Sequence, residues 1–260
     1  MLLFIWPETW GRTRRSNATM AAAALLLVIT LWLIGTAIAA LPDPIGENAQ
    51  QFADGARTTL WLSLVSGAAG VVLGVVAALG RTSRYLVIRQ AAAFYIWIFR
   101  GTPLLVQMLF VYFALPVIVP GLNLPDFAAA VVALALNVGA YNAEAIRAGL
   151  LAVPRGQTEA ARALGLGRWH LFMDVVFPQA FKIALPPLVS NFVALLKDSS
   201  LAYAIGVVEL TNVGNRVQAV TFQPVATLAT TACIYLLLTT LMTQVSNAVE
   251  HRFDVEGRQK

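Results

Sequence analysis

The stretch TTLWLSLVSGAAGVVLGVVAAL, residues 58–79, contains no charged side chain. A helix needs about 20 mainly apolar residues to cross a hydrocarbon core of about 30 Å, so this stretch predicts a transmembrane helix. Within it, Gly70 and Gly74 form a small-residue seam for close helix packing. Further apolar runs are continuous rather than alternating, which favours helices over barrel strands. The sequence therefore predicts an all-α integral membrane protein with six spans, at 20–40, 58–79, 103–120, 127–148, 183–203 and 225–248.

The composition of the 260 residues agrees with a bilayer as the solvent. Hydrophobic residues make up 58% and charged residues 12%, whereas soluble domains carry about 25% charged residues. The net charge of +5 comes from 18 basic and 13 acidic residues. These are too few and too dispersed for a nucleic-acid groove, so we expect no nucleic-acid partner. The lone Cys233 excludes an internal disulfide, and we expect it to pack as a small hydrophobe inside the sixth span.

Motifs for enzymatic chemistry are missing from the sequence. It contains no phosphate-binding loop of the Gly-x-x-x-x-Gly-Lys-Ser/Thr pattern and no zinc-helix motif. The two histidines, His170 and His251, are expected to be solvated, and neither pairs plausibly with a serine or cysteine nucleophile. We therefore predict no catalytic residue, no metal site and no cofactor bound by this chain. If the protein is a pump, its energy must come from another chain.

Basic residues lie in alternate loops, which indicates the orientation of the chain in the membrane. They precede the first span, follow the second and sixth, and surround the connection between the fourth and fifth: Arg12, Arg14, Arg15, Arg81, Arg84, Arg89, Arg147, Arg155, Arg162, Arg168, Lys182, Arg252, Arg258 and Lys260. The opposite loops are mostly acidic, at Asp43, Glu47, Asp54, Asp126 and Glu209, with only Arg57 and Arg216 as basic neighbours. We predict that both terminal segments, 1–19 and 249–260, are cytoplasmic.

The first span, 20–40, has an alternative interpretation as a secretory signal. It follows basic residues and ends in Ala37-Ile38-Ala39, a small-residue pattern typical of a cleavage site. However, the apolar run exceeds the roughly 7–15 residues usual in a signal, so we expect the span to be retained. Cleavage would leave five spans with the same orientation.

The cytoplasmic connection 151–178 contains the signals of a short helix. Thr158 is expected to cap it, Glu159 to lie in its first turn, and Gly165 or Gly167 to end it. Its alanines present little bulk, so another surface can approach the backbone closely. The mixed apolar and charged residues that follow, from Trp169 onward, indicate a segment lying in the membrane interface. A connector that only stabilises the bundle is the alternative.

Lys197 and Asp198 lie inside the predicted fifth span, where a charge costs about 2.5–3.5 kcal/mol. Adjacent helical residues point about 100° apart, so the two side chains cannot satisfy each other well. They need partners on other helices, water or a ligand, and Ser199 and Ser200 extend the polar patch. A transport pathway at this point is the default interpretation, and polar contacts between helices are the alternative.

A break in the helical pattern precedes the third span at Arg100-Gly101-Thr102-Pro103, because Pro103 suits the first turn of a new helix. Glu144 and Arg147 end the fourth span at the same depth as Arg100. We predict a structural or gating network of Arg100, Glu144 and Arg147, and we assign Lys197 to the same class of role. A lipid phosphate is the alternative partner of Arg100.

Several of these segments resemble one family. EAARALG at 159–165, followed by VVFP at 175–178, is similar to the cytoplasmic signature of ABC importer permeases: Glu-Ala-Ala, three residues, Gly, nine residues, then Ile-x-Leu-Pro. Val175 and Phe177 replace the isoleucine and leucine. Segments 100–107, 140–147 (AYNAEAIR) and 195–201 (LLKDSSL) resemble the polar amino acid subfamily. The resemblance covers about 57–248, a five-helix permease core, and leaves 20–40 as an additional N-terminal helix.

The resemblance implies a type I importer transmembrane domain in the cytoplasmic membrane of a prokaryote. The implied cargo is a polar amino acid. The implied partners are an ATPase dimer that binds ATP and Mg at the cytoplasmic face, a second permease subunit, identical or homologous, and an extracytoplasmic solute-binding protein. It also assigns Glu159, Ala160, Ala161 and Gly165 to coupling with the ATPase.

The substrate of such a permease can lie within each subunit. By position we expect the path to include Thr59 and Ser63 on the second span, Gln107 on the third, and Asp198 with Ser199 on the fifth. Asp198 would then pair a substrate ammonium group. An ion-coupled secondary transporter of small polar solutes is the alternative function. It predicts internal repeats and acid–base relays, for which the sequence offers no convincing pattern. A scaffold without transport is hard to reconcile with the buried charges.

Overall fold

The computed structural model describes residues 11–253, without the side chains of Arg12, Thr13, His251 and Arg252. Residues 1–10 and 254–260, which include the predicted cytoplasmic Arg258 and Lys260, lie outside the described part. Within that part the chain is helical and contains no strand. The elements are α1 Arg12–Ala39, α2 Ala49–Arg81, α3 Leu86–Gly101, α4 Leu104–Leu109, a π-helical turn Phe110–Ala114, α5 Leu115–Ile118, α6 Asp126–Leu151, α7 Arg155–Ala163, α8 Arg168–His170, a second π-helical turn Leu171–Val176, α9 Phe177–Asp198, a 3-10 helix Ser199–Ile205, α10 Leu210–Thr221 and α11 Pro224–Arg252.

Five helical segments are long and apolar enough to cross a membrane: Arg14–Ala39, Ala49–Arg81, Asp126–Leu151, Arg168–Ile205 and Pro224–Glu250. The bent pair Leu86–Gly101 and Leu104–Ile118 makes a sixth span if its two limbs are taken together. Each span predicted from the sequence falls on one of these segments. The predicted all-α membrane class is confirmed.

The third predicted span, 103–120, is the second limb of a helix that breaks at Pro103. A proline ring disfavours the helical conformation of the residue before it, and Thr102 is accordingly extended, with φ −116° and ψ 149°. The two limbs meet at an angle of 111°. The second limb is about 22 Å long, too short to cross a core of about 30 Å by itself. The predicted break is confirmed. The predicted span 103–120 forms a sixth crossing together with the limb Leu86–Gly101.

The predicted loop 151–178 is shorter than expected because the fifth span begins inside it. The helix runs from Arg168 to Ile205 without a break, through the second π-helical turn. The segment from Trp169 onward, predicted to lie separately in the interface, is therefore the first part of this long helix. His170, expected to be solvated, is exposed, and its Nδ1 lies 3.2 Å from Oδ2 of Asp174. Only the short turn 164–167 separates α7 from the long helix.

The packing of α2 against α6 forms the centre of the bundle. Gly70 lies directly against Val138, and Gly74 faces Asn142 so closely that a Cβ at Gly74 would lie 2.6 Å from the Cβ of Asn142. Side chains larger than hydrogen at these positions would push the two helices apart. The predicted seam of Gly70 and Gly74 is confirmed.

The additional helix α1 packs along α11 and α2 and belongs to the same bundle. Ser16 donates a hydrogen bond to the carbonyl oxygen of Ala248, and Arg57 donates one to the carbonyl oxygen of Leu31 over 3.1 Å. The prediction for Cys233 is wrong, because its side chain is exposed on the outer face of α11 instead of packed.

Candidate functional site

A cleft of about 310 Å³ opens beside the break between α3 and α4. Its polar lining comes from Asn137 and Tyr141 on α6 and from Asn191 and Asp198 on α9, opposite Thr102 at the break. The rest of the lining is apolar: Pro103, Leu104, Val138, Ala194 and Leu195. A mostly apolar cavity with a few converging polar groups is the usual form of a small-molecule site. We refer to it as the polar cleft.

Two amide side chains hold the broken helix in place. Gln107 donates from Nε2 to the carbonyl oxygens of Phe99 and Thr102, each at 3.0 Å. Asn137 donates from Nδ2 to the carbonyl oxygen of Phe99 at 3.1 Å and to Oε1 of Gln107 at 3.0 Å. The last carbonyl groups of a helix have no partner within it, so these bonds satisfy the carbonyls that the break exposes. Gln107 does not line the polar cleft itself.

Asp198 is the one residue of the five predicted for the substrate path whose side chain lines the polar cleft. It ends α9, and the 3-10 helix begins at the next residue. The side chain is exposed and forms no hydrogen bond or salt bridge with any residue in 11–253. Lys197 is also exposed but does not line the cleft. Asp198 is thus a carboxylate available to a cationic group entering the cleft.

The three hydroxyl residues predicted for the substrate path are buried and bonded within the bundle. Thr59 accepts a hydrogen bond at Oγ1 from the backbone N–H of Leu210 over 3.1 Å, which joins α2 to the start of α10. Ser63 and Ser199 each donate to a backbone carbonyl oxygen one turn earlier in their own helices, both at 2.8 Å. None of the three lines the polar cleft. Their part in the substrate path stays a prediction.

Glu144 and Arg147 form a salt bridge on α6, with 2.6 Å between Nη2 and Oε2 and 3.1 Å between Nε and Oε1. Arg100 does not bond to this pair. Its guanidinium lies over the ring of Tyr141, 5.3 Å from the centroid, and its charge acts on Glu144 from there. Lys197 forms no hydrogen bond or salt bridge to them within the described residues. The structure therefore brings together Glu144 and Arg147, with Arg100 close by, and leaves Lys197 apart.

Helix α7 ends where the sequence predicts. Gly165 has a φ of +77°, and the N–H groups of Gly165 and Leu166 donate to the carbonyl oxygens of Arg162 and Ala161 over 2.9 and 3.1 Å. This arrangement is a Schellman motif, which favours glycine at the left-handed position. The prediction that Thr158 caps the helix is wrong. The helix begins about one turn earlier, after Pro154, and the hydroxyl of Thr158 donates to the carbonyl oxygen of Arg155 over 2.7 Å.

Helix α7 has an exposed surface and lies in the chain between two helices that line the polar cleft. Glu159, Ala160 and Gly165 are exposed, whereas Ala161 is buried against the protein. Its chain neighbours are α6 and the long helix that contains α9, and both are walls of the cleft. At the base of these two walls Gly149 packs against Ala184, at a separation that leaves no room for a larger side chain. Helix α7 is therefore connected on both sides to helices that pack together and line the cleft.

Sequence reasoning missed Asn137, Tyr141 and Asn191 as cleft residues. Asn191 donates from Nδ2 to Oδ1 of Asn142 over 3.0 Å and joins α9 to α6. A signal for these residues was present. Amide groups inside apolar helices need hydrogen-bond partners, and the spacing of four between Asn137 and Tyr141 puts them on one face of α6.

Glu209, predicted only as an acidic loop residue, is fully buried at the start of α10. Its carboxylate accepts hydrogen bonds from the backbone N–H groups of Thr211 and Asn212 and from the hydroxyl of Tyr235 on α11, each at 2.8 Å. The side chain is therefore the N-cap of α10 and ties it to α11. Burial raises the pKa of the Glu209 carboxyl, and these hydrogen bonds oppose the rise only in part.

The sequence matches the family model described as binding-protein-dependent transport system inner membrane component over residues 70–255. The chain belongs to this family. The matched region contains the broken helix, the polar cleft and α7, whereas α1 lies outside it. As a member of the binding-protein-dependent transport family, the protein is the permease of an ABC importer, and the resemblance predicted from its motifs is confirmed. The alternative of an ion-coupled secondary transporter finds no support.

Relatives within the binding-protein-dependent transport family cover most of the chain. The glutamine transport system permease protein GlnP of Escherichia coli (strain K12) is 38% identical over 202 residues, 78% of this chain and 92% of that protein. The arginine transport system permease protein ArtQ of Bacillus subtilis (strain 168) is 38% identical over 199 residues, 76% and 90% of the two chains. The L-cystine transport system permease protein TcyB of the same organism is 36% identical over 197 residues, 75% and 83%.

Solved structures of ABC transporters share the fold. A crystal structure of an amino acid ABC transporter with histidines matches with a TM-score of 0.74 and 38% identity, over 79% of this chain and 95% of that chain. An inward-facing structure of the MetNI methionine ABC transporter matches with a TM-score of 0.61 over 80% of this chain and 99% of that chain, at 21% identity. The predicted importer transmembrane fold is confirmed.

Proposed function

We propose that this permease passes polar amino acids through the polar cleft, from outside the cytoplasmic membrane of a prokaryote to the inside. The single observation that carries the proposal is the exposed Asp198 carboxylate in that cleft, within a chain whose relatives include permeases for glutamine, arginine and cystine. All three of these cargoes carry an ammonium group on the α-carbon, which a carboxylate attracts.

The other polar groups of the cleft suit the remainder of an amino acid. Tyr141 supplies a phenolic hydroxyl, and Asn137 and Asn191 supply amides whose donors already hold the cleft walls. Apolar side chains such as Leu104 and Leu195 contact the aliphatic part of a cargo. The one unpaired charge of this site is the Asp198 carboxylate, which attracts the α-ammonium group that all amino acids share. The site therefore recognises this common group more strongly than the side chain of any particular amino acid.

The energy for transport comes from partner subunits that dock on α7. An ATPase dimer that binds ATP and Mg on the cytoplasmic side would receive α7 in a surface cleft, with Glu159 and Ala160 at the contact and Gly165 fixing the end of the helix. The exposed small side chains support this assignment, since they allow close approach. This chain then needs no nucleotide site of its own.

The complete importer contains a second permease, identical or homologous, and an extracytoplasmic solute-binding protein that delivers the cargo. Both termini of the chain lie in the cytoplasm. The distribution of basic residues supports this orientation. Binding of the loaded solute-binding protein outside and of ATP inside would then shift α6 and α9 from one arrangement to the other. The polar cleft would open to one side of the membrane at a time.

ATP-driven uptake by the tagged importer, purified with its ATPase and reconstituted into proteoliposomes with its binding protein, tests the proposal. We expect saturable uptake of a labelled polar amino acid, with unlabelled glutamine, arginine and cystine as competitors. Asp198→Asn should reduce uptake roughly tenfold, the loss expected for about 1.4 kcal/mol of interaction, while the ATPase still co-purifies. Asp54→Asn, at an exposed carboxylate paired with Arg57 on α2, is the matched control. Equal uptake by Asp198→Asn and the control would remove Asp198 from the site.

A further inference from the structure

A second groove, of about 460 Å³, lies between α2 and α3 on the surface that faces away from the centre of the bundle. Its lining is almost entirely apolar. Its walls include Leu73 and Val76 of α2 and Val87 and Ala91 of α3. Between Leu73 and Gly80 it follows α2 for about 10 Å, against about 15 Å for one leaflet of the hydrocarbon core. We refer to it as the outer groove. It has the length and the chemistry to hold a large part of one acyl chain.

Small residues form the floor of the outer groove, and large ones form its rims. A Cβ added to Gly80 would lie 3.0 Å from the Cβ of Ala92, so the two helices approach closely there. Val76 and Val87 rise on either side, with exposures of 63% and 81%. In the membrane, lipid hydrocarbon, which is as apolar as these side chains, covers such a surface.

Three arginines lie next to residues of one end of the outer groove along the chain, and none of them lines the groove itself. Arg81 directly follows Gly80 of the groove floor, and Arg84 and Arg89 flank the lining residues Val87 and Ile88 along the chain. None of the three forms a salt bridge with a carboxylate in residues 11–253.

The groups around these arginines leave their charge uncompensated. Arg84 donates to the hydroxyl of Tyr85 over 2.7 Å and lies 4.8 Å from the centre of that ring. The Nε of Arg81 is buried without a hydrogen-bond partner among the described residues. Glu144 has an electrostatic interaction with Arg81, but its carboxylate already forms a salt bridge with Arg147. The end of the groove therefore presents positive charge to an anion.

We infer that the outer groove binds one anionic phospholipid, with an acyl chain along the groove and the phosphate at Arg81, Arg84 and Arg89. Guanidinium groups bind phosphate oxygens in a bidentate manner, and basic pockets beside transmembrane helices select anionic headgroups. A second copy of the chain fits this surface poorly. A two-fold axis through the groove would place the same three arginines opposite each other.

Native mass spectrometry of the full-length permease complex tests the inference. The complex is equilibrated in detergent with equal amounts of dioleoyl phosphatidylglycerol and dioleoyl phosphatidylcholine, which share their acyl chains. We expect preferential retention of phosphatidylglycerol. Arg84→Gln with Arg89→Gln should lower its affinity roughly fivefold for each arginine removed. Lys182→Gln with Arg216→Gln, which removes the same charge from exposed positions on α9 and α10, should leave it unchanged. Equal retention of both lipids, or equal losses in both double variants, would overturn the inference.

Two further variants separate the groove from the headgroup site. Ala91→Phe fills the outer groove and leaves the arginines intact, so it should weaken retention of phosphatidylglycerol. Millimolar glycerol 1-phosphate, which has no acyl chain, should fail to displace the lipid from the wild-type complex. Unchanged retention in Ala91→Phe, or displacement by glycerol 1-phosphate, would contradict binding of an acyl chain.

Ala91→Cys in a Cys233→Ser background should form no disulfide between copies, and such a disulfide would place a second permease on the groove instead.

Discussion

Asn191 on α9 donates a hydrogen bond to Asn142 on α6 over 3.0 Å. Asn191 also lines the cleft, and Asn142 packs against Gly74 of α2. The bond therefore joins α6 to α9, the helices before and after α7 in the chain. It does so beside the contact of α6 with α2. We expect α6 and α9 to move as one unit when α7 is displaced.

Removing this amide pair should uncouple the two helices. A double-mutant cycle of Asn142→Ala and Asn191→Ala should give a coupling energy of about 0.6 kcal/mol, the average for hydrogen bonds between helices in a membrane, and up to about 1.7 kcal/mol. The free energy of unfolding in mixed micelles measures it. A coupling energy of zero would mean that the amides do not act together.

The salt bridge between Glu144 and Arg147 should stabilise the C-terminal part of α6. Glu144→Gln leaves Arg147 without its charged partner and should lower the free energy of unfolding by about 1–3 kcal/mol. We also expect weaker assembly with the ATPase or slower uptake. The double variant Glu144→Gln with Arg147→Gln should recover part of the stability. If Glu144→Gln left stability, assembly and uptake all intact, the predicted network would be refuted.

The contact between α2 and α6 should not tolerate a methyl group at Gly74. A Cβ there would lie 2.6 Å from the Cβ of Asn142, and overpacking of this kind costs about 1–3 kcal/mol. Thermal unfolding of Gly74→Ala should show that loss. Gly101→Ala is the matched control, because no atom lies within 4 Å of a Cβ at Gly101. Similar melting temperatures for the two variants would contradict the close packing.

Glu209 should make stability depend on pH in an unusual direction. Burial raises the pKa of its carboxyl in the folded protein above the ordinary value of 4.5, so the folded state holds the proton more tightly than the unfolded state does. Its contribution to stability is complete below pH 4.5 and is lost as the pH rises through the folded pKa. The difference in melting temperature between wild type and Glu209→Gln should therefore fall as the pH rises above 4.5. A difference that rises with pH would refute the assignment.

Features set by local backbone chemistry were predictable from the sequence. Pro103 breaks a helix because of its own ring, Gly165 ends α7 because it accepts a left-handed conformation, and Gly70 with Gly74 admits a close neighbour. The continuous apolar runs also predicted the spans. In the bilayer each run must form hydrogen bonds among its own backbone groups, and a helix does this.

Features that depend on distant contacts were not predictable. The hydroxyl of Thr59 bonds a backbone group 151 positions away, and Gln107 and Asn137 meet across 30 positions. Hydropathy places Cys233 in a span but does not say which face of α11 it occupies. The cap expected at Thr158 was wrong because Pro154 already starts the helix one turn earlier. The polar cleft itself arises from three helices, and no single segment of sequence contains it.

We propose that α7 is the point at which a separate ATPase drives this permease, and uptake by proteoliposomes tests this directly. Uptake of a labelled amino acid is compared for the chain alone, for the complete importer, and for importers with Ala160→Trp on exposed α7 or Ala232→Trp on the outer face of α11. We predict that only the complete importer and the Ala232→Trp control accumulate the amino acid with ATP, and that Ala160→Trp loses both uptake and the bound ATPase. Full uptake by the chain alone without nucleotide, or by Ala160→Trp, would contradict the account.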